Sequence, residues 1–233
     1  MSKADTDLAE LEKILQVSFS DKELLRTALT HRSWVNENRE KRKTHNERLE
    51  FLGDAVLELV VTEFLFNRFK DKPEGVLTSY RSALVNTQSL AYVAKKLGIN
   101  DFLYLSKGES KDKRARDGIL ADALEAIIGA IYIQRGYEKA KKFILDNIAS
   151  RIDYIISKKL YLDPKSALQE IAQEKIKVTP TYKIIKEEGP DHDKTFTVQV
   201  IFGDTPITTG VGRNKQEAER DAARNALEIK KWI

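Results

Sequence analysis

The 233-residue chain contains no cysteine, which excludes disulfides, thiolate metal sites and a cysteine nucleophile and suits a reducing, cytoplasmic setting. It also lacks any apolar run of the roughly 18–20 residues needed to span a bilayer, so no membrane partner is expected. Met1–Glu10 is polar and acidic, unlike a secretory signal or a transit peptide. Excess charge of one sign is small: 40 Lys and Arg stand against 36 Asp and Glu, a net of +4. Cut after Ile155, the two parts carry +2 each. Bulk charge therefore hints at a polyanion without establishing one, and local placement must decide. The three histidines, His31, His45 and His192, show no paired spacing, so zinc is disfavoured.

Proline is scarce and unevenly placed, and its distribution separates two regimes. Only Pro73 of five prolines precedes residue 160, in a turn between helices. Over that stretch apolar residues recur at helical spacing. Helix starts are expected at Asp5–Asp7 and Asp21, with helices over 46–69, 79–97 (closed by Gly98), 116–135 and 137–158, the last two parted by Gly136. After Tyr161–Pro164 the pattern becomes a helix from Lys165 to Ile176, strands at Thr181–Lys186, Thr195–Phe202 and Ile207–Gly210, and a helix from Lys215 to about Lys230. The chain thus reads as multidomain: an all-α domain over 4–157, a linker at 158–162, and a small α+β (α-β-β-β-α) domain over 163–232. The charge run Arg39–Lys43 reads as a solvated loop.

The segment Asn46–Val61 carries most of the functional information. On a helix, Glu47, Glu50 and Asp54 fall within an arc of roughly 60°, and Glu50 and Asp54 stand about 6 Å apart along the axis. Leu49, Phe51, Leu52, Ala55, Val56 and Leu57 make much of the remaining surface apolar, so the acid stripe would suffer desolvation and mutual repulsion unless something positive met it. A second apolar helix, Ile119–Ala130, carries Asp122 and Glu125 on one face. Gly53, Ala55, Ala121, Ala123, Gly129 and Ala130 would let the two helices approach closely. Two acid pairs on two core helices invite a shared ion, and an all-oxygen site suits Mg²⁺, with Mn²⁺ as a substitute. The plainer alternative is a set of acids near a helix start, paired with Arg48 or Arg116. A carboxylate-bridged di-iron bundle would need Glu-x-x-His pairs, which are absent.

Asn46-Glu47-Arg48-Leu49-Glu50-Phe51-Leu52-Gly53-Asp54-Ala55-Val56-Leu57 resembles the signature of the ribonuclease III family. Leu29–Ser33 and Ile119–Ala126 resemble its other blocks, in the same order. The resemblance implies an all-α ribonuclease III endonuclease domain in which Glu50, Asp54, Asp122 and Glu125 bind the metal, with Asp54 and Glu125 catalytic. It places Glu47 and Glu74 beside the scissile strand and implies that Phe51 inserts into the partner of a homodimer. It further implies hydrolysis to 5′-phosphate and 3′-hydroxyl ends, and roles in ribosomal RNA precursor and mRNA processing. His31 reads as structural, because no acid–base partner is evident beside it.

In the second part, Pro164 opens a helix whose polar face carries Gln169 and Gln173. Asn214 and Glu217 form a candidate capping box, and Ala218, Ala222, Ala223 and Ala226 offer a small-residue face for a sheet. The α-β-β-β-α unit, with Gly189–Lys194 and Gly210–Lys215 as its connecting segments, resembles the double-stranded-RNA-binding domain. That resemblance implies contacts to double-stranded RNA from Gln169, Gln173, His192, Lys194, Arg213, Asn214 and Lys215, reading A-form shape rather than sequence. One departure stands out: where such domains open their last helix with two or three basic residues, Lys215 is followed by Gln216 and Glu217. A non-catalytic duplex-RNA-binding protein is the competing reading, and the intact acids argue against it.

Overall fold

The computed structural model describes residues 3–38, 40, 44–111, 116–190 and 194–232; His192 and most of the Arg39–Lys43 run lie outside them. The chain divides into two units, Met1–Lys158 and Lys159–Ile233. In the first, the helical periodicity becomes α1 (Lys3–Leu15), α2 (Lys22–Ala28), α3 (Arg32–Glu37), α4 (Glu47–Arg68), α5 (Glu74–Val85), α6 (Thr87–Lys96), α7 (Lys107–Lys111), α8 (Arg116–Arg135), α9 (Tyr137–Asn147) and α10 (Ile152–Ser157). Asp21 caps α2 by accepting from the Glu23 and Leu24 amides, and Gly98 follows α6 at φ 66°. No helix among the described residues is long and apolar enough to cross a membrane.

Two expected helices are interrupted. The run 79–97 breaks at Asn86, whose extended backbone (ψ 157°) ends α5 while its side chain accepts from the Ser89 amide and starts α6. The run 137–158 breaks at Ile148, where a 3₁₀ turn over Ala149–Arg151 separates α9 from α10. Pro73, at φ −67°, is the cap of α5, so Glu74 and Gly75 are helical rather than part of a turn.

α8 is the central rod. Leu120, Leu124 and Ile127 form one stripe of it, Ala126 and Ile128 lie on its other sides, and all five are fully buried because α2, α4, α6 and α9 all pack on it. α4 contributes Leu57, Val60 and Val61, equally buried, each removal from water stabilising by about 1.5–3 kcal/mol. The outward face of α4 differs: Phe51, Leu59 and Phe66 are exposed.

The second unit is a three-stranded antiparallel sheet in the order β1 (Pro180–Glu188), β2 (Thr195–Phe202), β3 (Thr205–Gly212), flanked by α11 (Pro164–Ile176) and α12 (Lys215–Ile229). Alternation along β2 buries Val198, Val200 and Phe202 among Leu168, Ala172 and the four alanines of α12. Small residues allow close contact: a Cβ on Gly210 would lie 2.0 Å from the Ala222 backbone nitrogen, so α12 rests directly on β3.

Candidate active site

α4 and α8 cross at two glycines. A Cβ on Gly53 would lie 1.8 Å from the Glu125 carbonyl oxygen, and one on Gly129 would lie 2.2 Å from that of Leu49. Backbone meets backbone there, and the acids adjacent to these glycines are forced together. Glu50, Asp122 and Glu125 each bring a carboxylate oxygen to within 4.8 Å of the others, in a half-buried setting.

Their protonation reflects this crowding. Glu125 is pushed up to about 8, first by burial and then by the charges of Asp54, Asp122 and Glu50. Glu50 is raised by burial and by Asp122, Glu47 and Asp54. Burial raises Asp122 as well, with His31 and its own backbone amide opposing the shift. Farther along α4 the acids behave differently. Glu63 accepts from Lys141 Nζ at 2.7 Å and from the Tyr137 hydroxyl at 2.9 Å, bonds that hold it below its ordinary value. Glu58 pairs with Arg81 at 3.1 Å. Glu50, Asp122 and Glu125 repel one another instead, and a divalent cation among them would reverse that repulsion.

The remaining residues singled out from sequence are distributed around this cluster. Asp54, one turn beyond Glu50, is exposed and outside the 4.8 Å group, although its charge is the largest neighbouring influence on Glu125. Glu47 sits exposed at the start of α4, paired with Arg32 at 3.3 Å and His45 at 3.8 Å. Glu74 is not brought to the cluster within one chain. It opens α5, accepts from the Thr78 hydroxyl at 2.8 Å, and lines a cavity of about 420 Å³ with Leu65, Phe66 and Leu77. Fifteen residues of α4 separate Glu50 from Leu65, about 22 Å of helix. Phe51 is 81% exposed.

His31 has a structural position: its Nδ1 accepts from the Ser33 amide and lies 2.8 Å from the Ser33 hydroxyl, capping α3, and burial lowers its pKa. In the second unit Gln169 and Gln173 are exposed on α11, Lys194 precedes β2, and Arg213, Asn214 and Lys215 lie at the start of α12. Half of the expected capping box forms: Asn214 Oδ1 accepts from the Glu217 amide at 2.8 Å, while the Glu217 carboxylate takes the amide of Arg213, one residue before the cap, at 3.0 Å. Sequence reasoning passed over Arg32 and His45 beside Glu47, and Arg220 in the second unit. Arg32 adjoins the His31 block, but no spacing rule connects residue 32 with residue 47.

The model of the Ribonuclease-III-like family matches residues 21–152, and that of the double-stranded RNA binding motif matches 164–230. Ribonuclease 3 of Clostridium kluyveri is 47% identical over 219 residues, covering 94% of this chain and 89% of that one. The chain belongs to the ribonuclease III family. Ribonuclease 3 of Caldanaerobacter subterraneus subsp. tengcongensis is 44% identical over 221 residues, covering 94% of this chain and 96% of its own. Among solved structures, the nuclease domain of ribonuclease III from Campylobacter jejuni has 46% identity and a TM-score of 0.55, covering 61% of this chain and 94% of that domain. A second structure of the domain, 47% identical with a TM-score of 0.53, covers 59% of this chain and 96% of its own and has a region involved in dimer formation. As a ribonuclease III family member the chain is an endoribonuclease, a hydrolase, and α11 to α12 form its double-stranded RNA binding motif.

Proposed function

We propose that this ribonuclease III family chain hydrolyses phosphodiester bonds of double-stranded RNA with a divalent ion, Mg²⁺ or in its place Mn²⁺, leaving 5′-phosphate and 3′-hydroxyl ends. The observation that carries the reading is the convergence of Glu50, Asp122 and Glu125 at the Gly53–Gly129 crossing. An oxygen-only donor set with water and phosphate as further ligands fits these hard ions. A bound ion supplies Lewis-acid chemistry, making water a better nucleophile and neutralising charge on the phosphate oxygens. Glu50, Asp122 and Glu125 hold it, and Asp54 closes the cluster from the solvent side, with Asp54 and Glu125 the catalytic acids. Glu125, pushed up to about 8, would have to give up its proton to serve as a ligand. Glu47 faces the scissile strand, with Glu74 supplied from a second copy.

The exposed stripe on α4 supports a homodimer. A two-fold axis between Glu58 and Leu59 places Phe51 of one copy opposite Phe66 of the other, beside the cavity that Phe66 and Glu74 line. Phe51→Ala is expected to weaken self-association at least about tenfold, read by sedimentation velocity; a dimer unchanged at nanomolar protein takes Phe51 out of the interface. Gln169, Gln173, His192, Lys194, Arg213, Asn214 and Lys215 contact RNA hydroxyls and phosphates. Precursor ribosomal RNA and messages in the cytoplasm are the substrates that the family relationship supports.

The direct test is incubation of a long RNA duplex with the full chain, with Mg²⁺ or with chelator, followed by end analysis. Cutting only with the ion, to 5′-phosphate ends, is expected. Intact duplex under both conditions rejects the reading.

A further inference from the structure

Between α11 and α12 runs a polar groove of about 420 Å³, lined by Asp163, Lys165, Ser166, Gln169, Gln216 and Arg220. Gln216 and Arg220 are four residues apart, so they occupy the same face of α12, one turn removed from each other. Gln169, proposed above to touch RNA, forms the opposite wall. The groove's two cations are held very differently. Lys165 is fixed from both sides: its Nζ lies 2.5 Å from Glu219 Oε2 and 5.1 Å from the centre of the Tyr182 ring.

Arg220 is only tethered. Its Nε reaches Asp163 Oδ2 at 3.4 Å, a single contact between side chains 63% and 40% exposed, the kind of surface pair that contributes little to stability. The other Asp163 oxygen, Oδ1, takes the Ser166 amide at 3.0 Å and the Ser166 hydroxyl at 3.2 Å, which caps α11. Release of Arg220 therefore leaves the cap of α11 intact. A guanidinium exchanging one exposed carboxylate contact for a bidentate phosphate gains geometry and charge-assisted hydrogen bonds.

We infer that Arg220 is a phosphate-anchoring residue of this chain, gripping the backbone of duplex RNA in the α11–α12 groove one turn beyond the neutral Gln216, with Asp163 as its resting partner. This rests on the duplex-RNA reading above and adds a residue to it. Glu217 is occupied with the Arg213 amide and Glu219 with Lys165. Arg220 is thus the groove cation whose partner exchanges at least structural cost.

The test measures affinity of the full chain for an RNA duplex of about 20 base pairs in chelator, so that nothing is cut, over a series of salt concentrations. Arg220→Gln is expected to weaken binding about five- to tenfold at 150 mM salt and to reduce the slope of log K against log salt by about 1, with the melting temperature unchanged. Asp163→Asn retains a capping side chain and is expected to tighten binding two- to threefold. Arg220→Lys is expected to restore the salt slope and part of the affinity. A chain that binds duplex while Arg220→Gln alters neither affinity nor slope overturns the inference alone. A wild-type chain that binds no duplex overturns the RNA reading on which it rests.

Discussion

Glu125→Gln is expected to slow duplex cleavage by about 10²- to 10³-fold or more, the range for removing one electrostatic group at a transition state, while RNA affinity measured in chelator stays within twofold. The substitution keeps the shape of the side chain at the α4–α8 crossing and removes its charge. A second, opposite effect on stability identifies the cause. The folded pKa of Glu125 is about 8, against an ordinary value of 4.5. The folded state therefore binds more protons than the unfolded state between those values, and stability falls as pH rises from about 4.5 to 8, levelling off above. With the shift damped by solvent at the open mouth of the site, the loss is on the order of 2–3 kcal/mol. Gln cannot ionise. In chelator at pH 9 the variant should melt about 5–10 °C above wild type, and the two should converge near pH 5. Added Mg²⁺ should raise the melting temperature of wild type more than that of Glu125→Gln, since only wild type has the full ligand set. Parallel pH profiles in chelator would falsify the account of Glu125 as a carboxylate strained by its neighbours.

Most of the architecture could be read from periodicity, because a helix buried on all sides and a sheet strand buried on one leave different spacings. The helical unit followed by α-β-β-β-α is of that kind, as is the convergence of acids from Asn46–Val61 and Ile119–Ala130. What periodicity does not register is a corner that keeps the same apolar phase. Asn86 ends one helix and caps the next without interrupting the run of apolar residues. Side-chain direction is equally hidden. Glu50 and Asp54 share a helical arc of about 40°, yet only Glu50 enters the tight group, because α8 crosses on the Gly53 side and leaves Asp54 toward solvent. Glu74 and Arg220 depend on packing between elements distant in sequence. One lines a cavity against the end of α4 and the other a groove against α11, and neither position follows from local spacing.

Gly53 gives the second large effect, and there two physical tendencies have opposite signs. By helix propensity alone, Gly→Ala inside α4 should stabilise by about 1 kcal/mol. The new Cβ, however, would stand 1.8 Å from the Glu125 carbonyl oxygen, 2.6 Å from its carbon and 2.9 Å from the Gly129 nitrogen. All three are backbone atoms, so no rotamer change relieves the contact and the helices must part by more than about 1 Å, a strain at or beyond the usual 1–3 kcal/mol of overpacking. The clash wins. Gly53→Ala is expected to destabilise by about 3 kcal/mol or more, read from denaturant midpoints, and to depress cleavage even well below its melting temperature, because the displaced atoms belong to Glu125 itself. Gly118→Ala is the control on α8: a Cβ there meets nothing within 4 Å, so propensity acts unopposed and a gain of about 0.5–1 kcal/mol with unchanged cleavage is expected. If Gly53→Ala were as stable and as active as Gly118→Ala, the two helices would not be in backbone contact. The spacing of Glu50, Asp122 and Glu125 would then have to be set by something other than the glycine crossing.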